Sequence, residues 1–445
     1  MKVLRQAIPA GSLVLALTTF GSYVVGLFRD RLLAQTFGAS RALDAYNAAF
    51  LLPDFLFNFL VASGIAAAFV PLFIDLKHQS VPQARRYANT VITTATISMS
   101  VAALLLLLFA EPASRLVTPG FTAPDQQLVA RLLRIFSLSP ILFSASNALG
   151  AMLVAERRFF FYGLAPITYN LGIIGGILLF APTYGIMGVA AGTIAGAVLH
   201  LLIRLVDATL TGWRFVPNLA VRTPEFTTTL KLMLPKMFGH PIELATFWAF
   251  TAIASTLTPG SIAVLNFARN FQSVPVSLIG IVVATTSFPI LAQAATRRSR
   301  SGFVAALTRS AILILFASLA SAVFIFLVRQ PLVAFLLGGR AFTESDVART
   351  AVILGMFCLA IPTEALSHLL ARAFYATKNT WVPVLCSVAS FALSLLAAWL
   401  LLEQLDLLAL PLAFFFGSVL KVGLLTVLLP GRVHQWIDGV RPSRQ

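Results

Sequence analysis

Charge is scarce in this sequence. Of 445 residues only 11% are Asp, Glu, Lys or Arg, while 58% are hydrophobic, and the mean hydropathy is +0.90. A water-soluble chain of this length cannot cover itself with so few polar groups. Acids are scarcer still, 16 against 32 basic residues, for a formal net charge of +16. In a soluble protein that excess points to nucleic acid. In a chain this apolar it points to basic loops on the inner side of a membrane, and no nucleic-acid partner is expected. Only two cysteines are present, Cys358 and Cys386, both inside apolar runs without metal-like spacing. That excludes a disulfide framework and a thiolate metal site. The chain has no GxxxxGK[ST], no HExxH and no long acidic loop. Nucleotide hydrolysis, zinc proteolysis and membrane glycosyl transfer therefore lose their usual signatures. We expect a transporter rather than an enzyme, with no metal and no cofactor.

What is present is long apolar runs such as 97–110 and 303–328, enough to cross a hydrocarbon core of about 30 Å. Twelve spans are predicted: 8–35, 43–75, 88–110, 127–155, 159–181, 185–207, 227–257, 261–295, 303–328, 345–376, 380–402 and 407–430. The fold class expected is all-α and polytopic. Lys2 and Arg5 precede the first run like the start of a signal peptide, but the run is too long and lacks a cleavage site, so it reads as a retained span. Connections alternate in charge. One set carries Lys77, Arg85 and Arg86, then Arg157 and Arg158, then Arg204, Arg214, Arg222 and Lys231. It continues through Arg297, Arg298 and Arg300 to Lys378 and the C-terminal arginines. The other set includes "APTYG" at 181–185 and "LTPGS" at 257–261, both uncharged. The basic set, with both termini, is expected in the cytoplasm.

The sequence also repeats itself. "FTAPDQQLVAR" at 121–131 resembles "FTESDVAR" at 342–349, and Thr122/Thr343 and Asp125/Asp346 are each 221 apart. Pro140/Pro362 and Pro53/Pro275 are each 222 apart. A duplication predicts two parallel six-span lobes, at 1–210 and 227–432, joined by a linker at 211–226 and followed by a tail at 433–445. Transporters built this way bind substrate between the halves. Thr122 and Thr343 are expected to N-cap the helices that follow them, each with an acid on the first turn.

Charges inside spans cost about 2.5–3.5 kcal/mol each on insertion scales, so those present need a cavity or a partner. They include Arg29, Asp30, Arg31, Asp44 and Asp54 early on, and Lys236, Glu243, Arg269, Glu364, Arg372 and Lys421 later. Adjacent residues on a helix project about 100° apart, which predicts that Arg29 and Asp30 do not face one surface. The alternative is that Asp30 or Asp44 neutralises Arg29 or Arg31 in a local pair, or that the arginines snorkel outward; it is the plainer reading of Arg31, whereas Arg29 reads as lining a cavity. "LPKMFGHPIE" at 234–243 sets Lys236 and His240 on one face between prolines, and "NFARNFQSVP" at 266–275 sets Arg269 among Asn266, Asn270 and Gln272. Arg29, Lys236 and Arg269 suggest a cationic chamber for an anion, phosphate oxygens above all.

Several stretches carry a resemblance. "FRDRLLAQTFGASRALDAYNAAFLLPDFLFNFLVASGIAAAFVPLF" at 28–73 resembles the opening signature of the MviN/MurJ family of lipid II flippases. "GGRAFTESDVARTAVILGMFCLAIPTEALSHLLARAFYATKNTWVPV" at 338–384 is similar to its second block. "AERRFFFYGLAPITYNLGIIGGILL" at 155–179 and "LMLPKMFGH" at 232–240 fit as well. The resemblance implies the multidrug/oligosaccharidyl-lipid/polysaccharide exporter fold, two six-helix lobes around a central cavity. It implies translocation of an undecaprenyl-pyrophosphate-linked glycopeptide across a bacterial inner membrane in peptidoglycan synthesis, among membrane lipids and alongside the cell-wall synthesis machinery. The substrate-binding residues expected are Arg29, Arg31, Asp44, Lys236, Arg269 and Asn270. Arg29 and Asp44 match the family pattern, while its span-eight arginine aligns with Asn270, beside Arg269. Other family cations are replaced here by Tyr23, Phe57 and Asn58, an expected acid by Ala62 or Ser63, and two further C-terminal helices are expected to be missing. Those departures keep two alternatives open: an exporter of another polyprenyl-pyrophosphate-linked oligosaccharide, and a non-transporting scaffold of the same fold.

Overall fold

The structure is a computed structural model that describes residues 10–62, 65–239 and 241–437, the side chains of 10–12, 62–67, 234–241 and 437 excepted. Lys2, Arg5, His240, Arg441 and Arg444 lie outside the described residues, as does the Lys236 side chain. The described chain is helical apart from its connections and forms two compact units. One runs up to Gly260 and includes Arg340–Phe342; the other comprises Ser261–Gly339 and the residues from Thr343 onward.

The first unit contains α1 (Ala10–Phe37), α2 (Arg41–Phe57), α3 (Ile65–Gln79), α4 (Val81–Leu108), α5 (Ala110–Val117), α6 (Ala123–Phe136) and α7 (Ser139–Ala155). It continues with α8 (Phe159–Gly175), α9 (Ala181–Tyr184), α10 (Ile186–Leu210), α11 (Pro224–Gly239) and α12 (Pro241–Ala254). The second unit contains α13 (Ser261–Pro275), α14 (Val282–Thr296), α15 (Arg300–Leu337), α16 (Glu344–Cys358), α17 (Ile361–Ala376), α18 (Trp381–Leu405) and α19 (Ala409–Ile437). Among the described residues, 8 helices are long and apolar enough to cross a membrane, or 9 if the bent pair α16–α17 is one span. One of the eight, Trp381–Trp436, is 56 residues long, nearly three times the ~20 that a span needs. It is the pair α18 and α19, packed on each other and joined by a 3₁₀ turn at Asp406–Leu408. The expected spans at 43–75 and 227–257 are not among the eight: residues 63, 64 and 240 lie outside the described ones, and the described helices on either side, such as Ile65–Gln79 and Pro241–Ala254, are each shorter than a span.

Apolar side chains cover the outside. On α15, Phe316, Phe324 and Leu327 are 76%, 64% and 71% exposed, a face suited to lipid rather than water. Inside, the first unit packs Phe69, Phe73, Tyr87, Met99, Met152 and Trp213 into one cluster. Between apolar helices in lipid, close approach replaces the hydrophobic drive. The α8–α10 seam shows how: a Cβ on Gly172 would lie 2.2 Å from the Cα of Gly196, and one on Gly192 2.4 Å from the Cα of Gly176.

The repeat is written in the local backbone. Thr122 and Thr343 occupy the N-cap positions of α6 and α16, as expected. Thr343 forms a full capping box with Asp346, whereas the Thr122 hydroxyl binds the Asp125 carboxylate at 2.7 Å. Pro140 and Pro362 both open a helix straight after a two-residue break. Pro53 and Pro275 are both followed by a π-helical stretch, Asn58–Ala62 and Val276–Ile281. Three further pairs at offsets of 221 or 222 share a left-handed φ: Gly38 and Gly260 (62° and 86°), Arg157 and Lys378 (58° and 56°), and Gly185 and Asp406 (56° and 48°).

Connections in the first unit gather at two ends. At one end Lys77 pairs with Glu156, Arg158 with Asp207, and Arg85 donates to the Thr211 carbonyl. At the other, Arg41 meets Asp125 at 3.8 Å, Glu111 pairs with Arg134 at 3.0 Å, and the Ala341 amide donates to the Gln35 carbonyl at 3.2 Å. The strongly basic connections of the first unit thus share the first end.

Candidate functional site

Arg29 sits on α1, which packs along α8. The approach is tight: a Cβ on Gly163 would lie 1.9 Å from the Thr18 hydroxyl. Farther along the same pair of helices, Asn170 reaches Arg29. Arg29 Nη1 donates to Asn170 Oδ1 at 2.8 Å, and its Nε and Nη2 donate to Asp30 Oδ1 at 3.0 and 2.7 Å. These bonds use three of the five guanidinium N–H groups. Asn170 is fixed in turn, its Nδ2 donating to the Pro166 carbonyl at 3.0 Å. The Arg29 side chain remains 24% exposed, so the guanidinium is held yet reachable. Nearby on α2, Tyr46 shares a hydrogen bond of 2.9 Å with Thr193 and packs edge-on against Phe50 and Phe136.

The expectation that Arg29 and Asp30 face different surfaces fails, and the alternative of a local Arg29–Asp30 pair is the one observed. The arginine stem is long enough to fold its fork back onto the adjacent carboxylate, so the 100° between Cβ directions does not separate the head groups. Sequence reasoning also missed Asn170, Tyr46 and Thr193. Asn170 had a signal, an amide inside the apolar stretch "YNLGIIGGILL".

The other expected residues lie on several elements of both units. Arg31 is half-buried on α1, beside the same Asp30 in sequence. The Asp44 side chain has no exposure: its Oδ2 accepts from the Gly260 amide at 2.7 Å, with Arg41 Nη1 at 3.8 Å. That carboxylate secures the turn at Gly260, where φ is 86° and a Cβ would lie 2.1 Å from the Ala39 carbonyl. Lys236 lies on α11 with its side chain outside the described residues. Arg269, half-buried, and Asn270, exposed, lie on α13 of the second unit. No cluster of three or more metal-ligating side chains occurs among the described residues.

Residues 33–439 match the family described as "Lipid II flippase MurJ". The chain belongs to that family. It is 26% identical over 423 residues to a probable lipid II flippase MurJ of Borreliella burgdorferi, covering 93% of this chain and 83% of the relative. It is likewise 26% identical over 418 residues to the lipid II flippase MurJ of Burkholderia cenocepacia, covering 91% and 80%. Among solved structures it is similar to a lipid II flippase MurJ in an inward closed conformation, with a TM-score of 0.81, 24% identity and coverage of 96% and 90%. It is similar also to an inward-facing multidrug resistance MATE family transporter of the MOP superfamily, with a TM-score of 0.79, 14% identity and coverage of 95% and 96%. The MurJ family chain therefore has the two-lobed fold shared by those transporters. It is a multi-pass transporter of the inner membrane, not an enzyme.

Proposed function

We propose that this MurJ family chain carries lipid II across the membrane by alternating access, with Arg29 gripping the pyrophosphate. One observation carries the reading: a guanidinium on an apolar helix, oriented by Asn170 and Asp30, partly exposed and with two N–H donors to spare. Arginine in a site of low dielectric binds phosphate oxygens through paired, charge-assisted hydrogen bonds. Asp30 balances the cation while the site is empty and yields to the stronger anion when substrate enters. Arg31, Lys236, Arg269 and Asn270 extend the cationic and amide set, and Asp44 acts by holding the turn at Gly260. The lipid tail stays in the bilayer while the halves rock. A step that moves net charge couples to the membrane potential at about 2.3 kcal/mol per charge per 100 mV.

Cells depleted of their own flippase test this. The wild-type chain restores growth, and Arg29→Ala at the same membrane level does not. Full rescue by Arg29→Ala overturns the role of Arg29, and failure of the wild type overturns the lipid II reading. Tyr23, Phe57 and Asn58, standing where the resemblance implies other residues, favour a second reading in which another polyprenyl-pyrophosphate glycan is the cargo. That reading keeps the same arginine and predicts no rescue by the wild type.

A further inference from the structure

A cavity of about 710 Å³ opens beside the first two turns of α4, under the connection that follows α10. The connection is pinned at both ends. Arg85 Nη2 donates to the Thr211 carbonyl at 3.1 Å and Asn89 Nδ2 to the Arg214 carbonyl at 3.2 Å. Farther on, the Asn218 amide donates to Thr93 Oγ1 at 3.2 Å, and its Nδ2 to Thr90 Oγ1 at 3.0 Å. Between these anchors the chain bows over a space lined by Arg85, Arg86 and Arg214, with no acidic residue in the lining. Three guanidiniums without a carboxylate among them make a place for an anion.

Two more observations say which kind. The same connection turns large apolar side chains outward: Phe215, Val216 and Leu219 are 49%, 60% and 59% exposed. Apolar side chains next to clustered arginines are the pattern of a segment lying in the headgroup region of a bilayer. In the cavity wall, Asn89 is 5% exposed; its Nδ2 donates to the linker, and its Oδ1 has no hydrogen-bond partner. A buried acceptor left open in this way is costly and suits a hydroxyl donor on the ligand. We propose that this cavity holds the headgroup of an anionic phospholipid, its phosphodiester on the arginines and a headgroup hydroxyl on Asn89. Phosphatidylglycerol has both groups. The site is built from the first unit alone and does not depend on how Arg29 functions.

Native mass spectrometry of the full-length protein, titrated in detergent with phosphatidylglycerol or phosphatidylcholine, tests the assignment. The double variant Arg86→Gln/Arg214→Gln leaves Arg85 on the linker and keeps the Arg214 carbonyl for Asn89. It should weaken phosphatidylglycerol binding about tenfold or more and leave phosphatidylcholine unchanged. Arg297→Gln/Arg300→Gln removes two charges from another basic connection and should leave both unchanged. Asn89→Ala should narrow the preference for phosphatidylglycerol over phosphatidic acid, which lacks the hydroxyl. Equal weakening in both double variants, or none in the first, overturns the site. Displacement of bound phosphatidylglycerol by millimolar inorganic phosphate overturns the lipid assignment in favour of free phosphate.

Discussion

At the scale of single residues, the few charges on apolar helices divide into two kinds of work. Arg29 is partly exposed and oriented by neighbours, whereas Asp44 is fully enclosed and bonded to backbone. The two should respond differently to substitution. Asn170→Ala removes one of three bonds that orient Arg29 while leaving the charge in place. We expect slower growth rescue than wild type but more than Arg29→Ala, and an unaltered melting temperature; a lowered one would assign Asn170 to packing instead. Asp44→Ala leaves the Gly260 amide without its buried acceptor, a loss of about 1–3 kcal/mol. It should lower the unfolding midpoint in detergent, and an unchanged midpoint would show that another group takes the amide. The charges themselves were legible in the sequence, because so few interrupt the apolar runs. Their partners were not. A Thr or Asn on a membrane helix can satisfy itself on its own backbone, as Thr18 does on Val14. Only the close α1–α8 contact selects Asn170 as the partner of Arg29.

At the scale of elements, helix existence followed from hydropathy, and every expected span that lies among the described residues contains helix. The breaks did not follow from it. Pro140 and Pro362 stand just after the breaks before α7 and α17, yet the expected spans 127–155 and 345–376 run through them; the π-helical stretches after Pro53 and Pro275 depend on how neighbouring helices accept the displaced carbonyls. The turn between α18 and α19 is a further case. Asp406 adopts φ 48° and ψ −133°, almost the conformation of Gly185 at φ 56° and ψ −138°. A side chain there is strained by roughly 1–3 kcal/mol, while glycine occupies the region freely. Asp406 is exposed, so its carboxylate gains nothing from burial. Asp406→Gly should therefore raise the unfolding midpoint by the equivalent of about 1 kcal/mol after the greater chain entropy of glycine is counted. A lowered midpoint would mean that the Asp406 side chain stabilises the turn by more than the strain it imposes.

At the scale of the whole molecule, caps, helix breaks and left-handed turns recur at offsets of 221 or 222, and alternate connections of the first unit collect at opposite ends, as successive helices running back and forth require. Four anchors disclosed the repeat in the sequence; Arg157/Lys378 and Gly185/Asp406 did not, because φ is invisible where the residue types differ, and a lone pair of glycines such as Gly38/Gly260 is too common to mark a register. Orientation in the membrane is the consequence that remains to be measured. The end bearing Lys77, Arg85, Arg158 and Arg214 has more basic residues in its connections than the end bearing Arg41 and Asp125, so the positive-inside rule sets it toward the cytoplasm. Cys358 and Cys386 are both buried, which leaves a quiet background for introduced thiols. Gln83→Cys and Thr256→Cys place exposed thiols at the two ends. In intact spheroplasts a membrane-impermeant maleimide should label Thr256→Cys at once and Gln83→Cys only after permeabilisation. The reverse pattern would turn the chain over. It would put the basic cavity beside α4 against the outer leaflet, where the membrane potential draws cations away rather than in, and the alternating-access scheme would then have to run from that side.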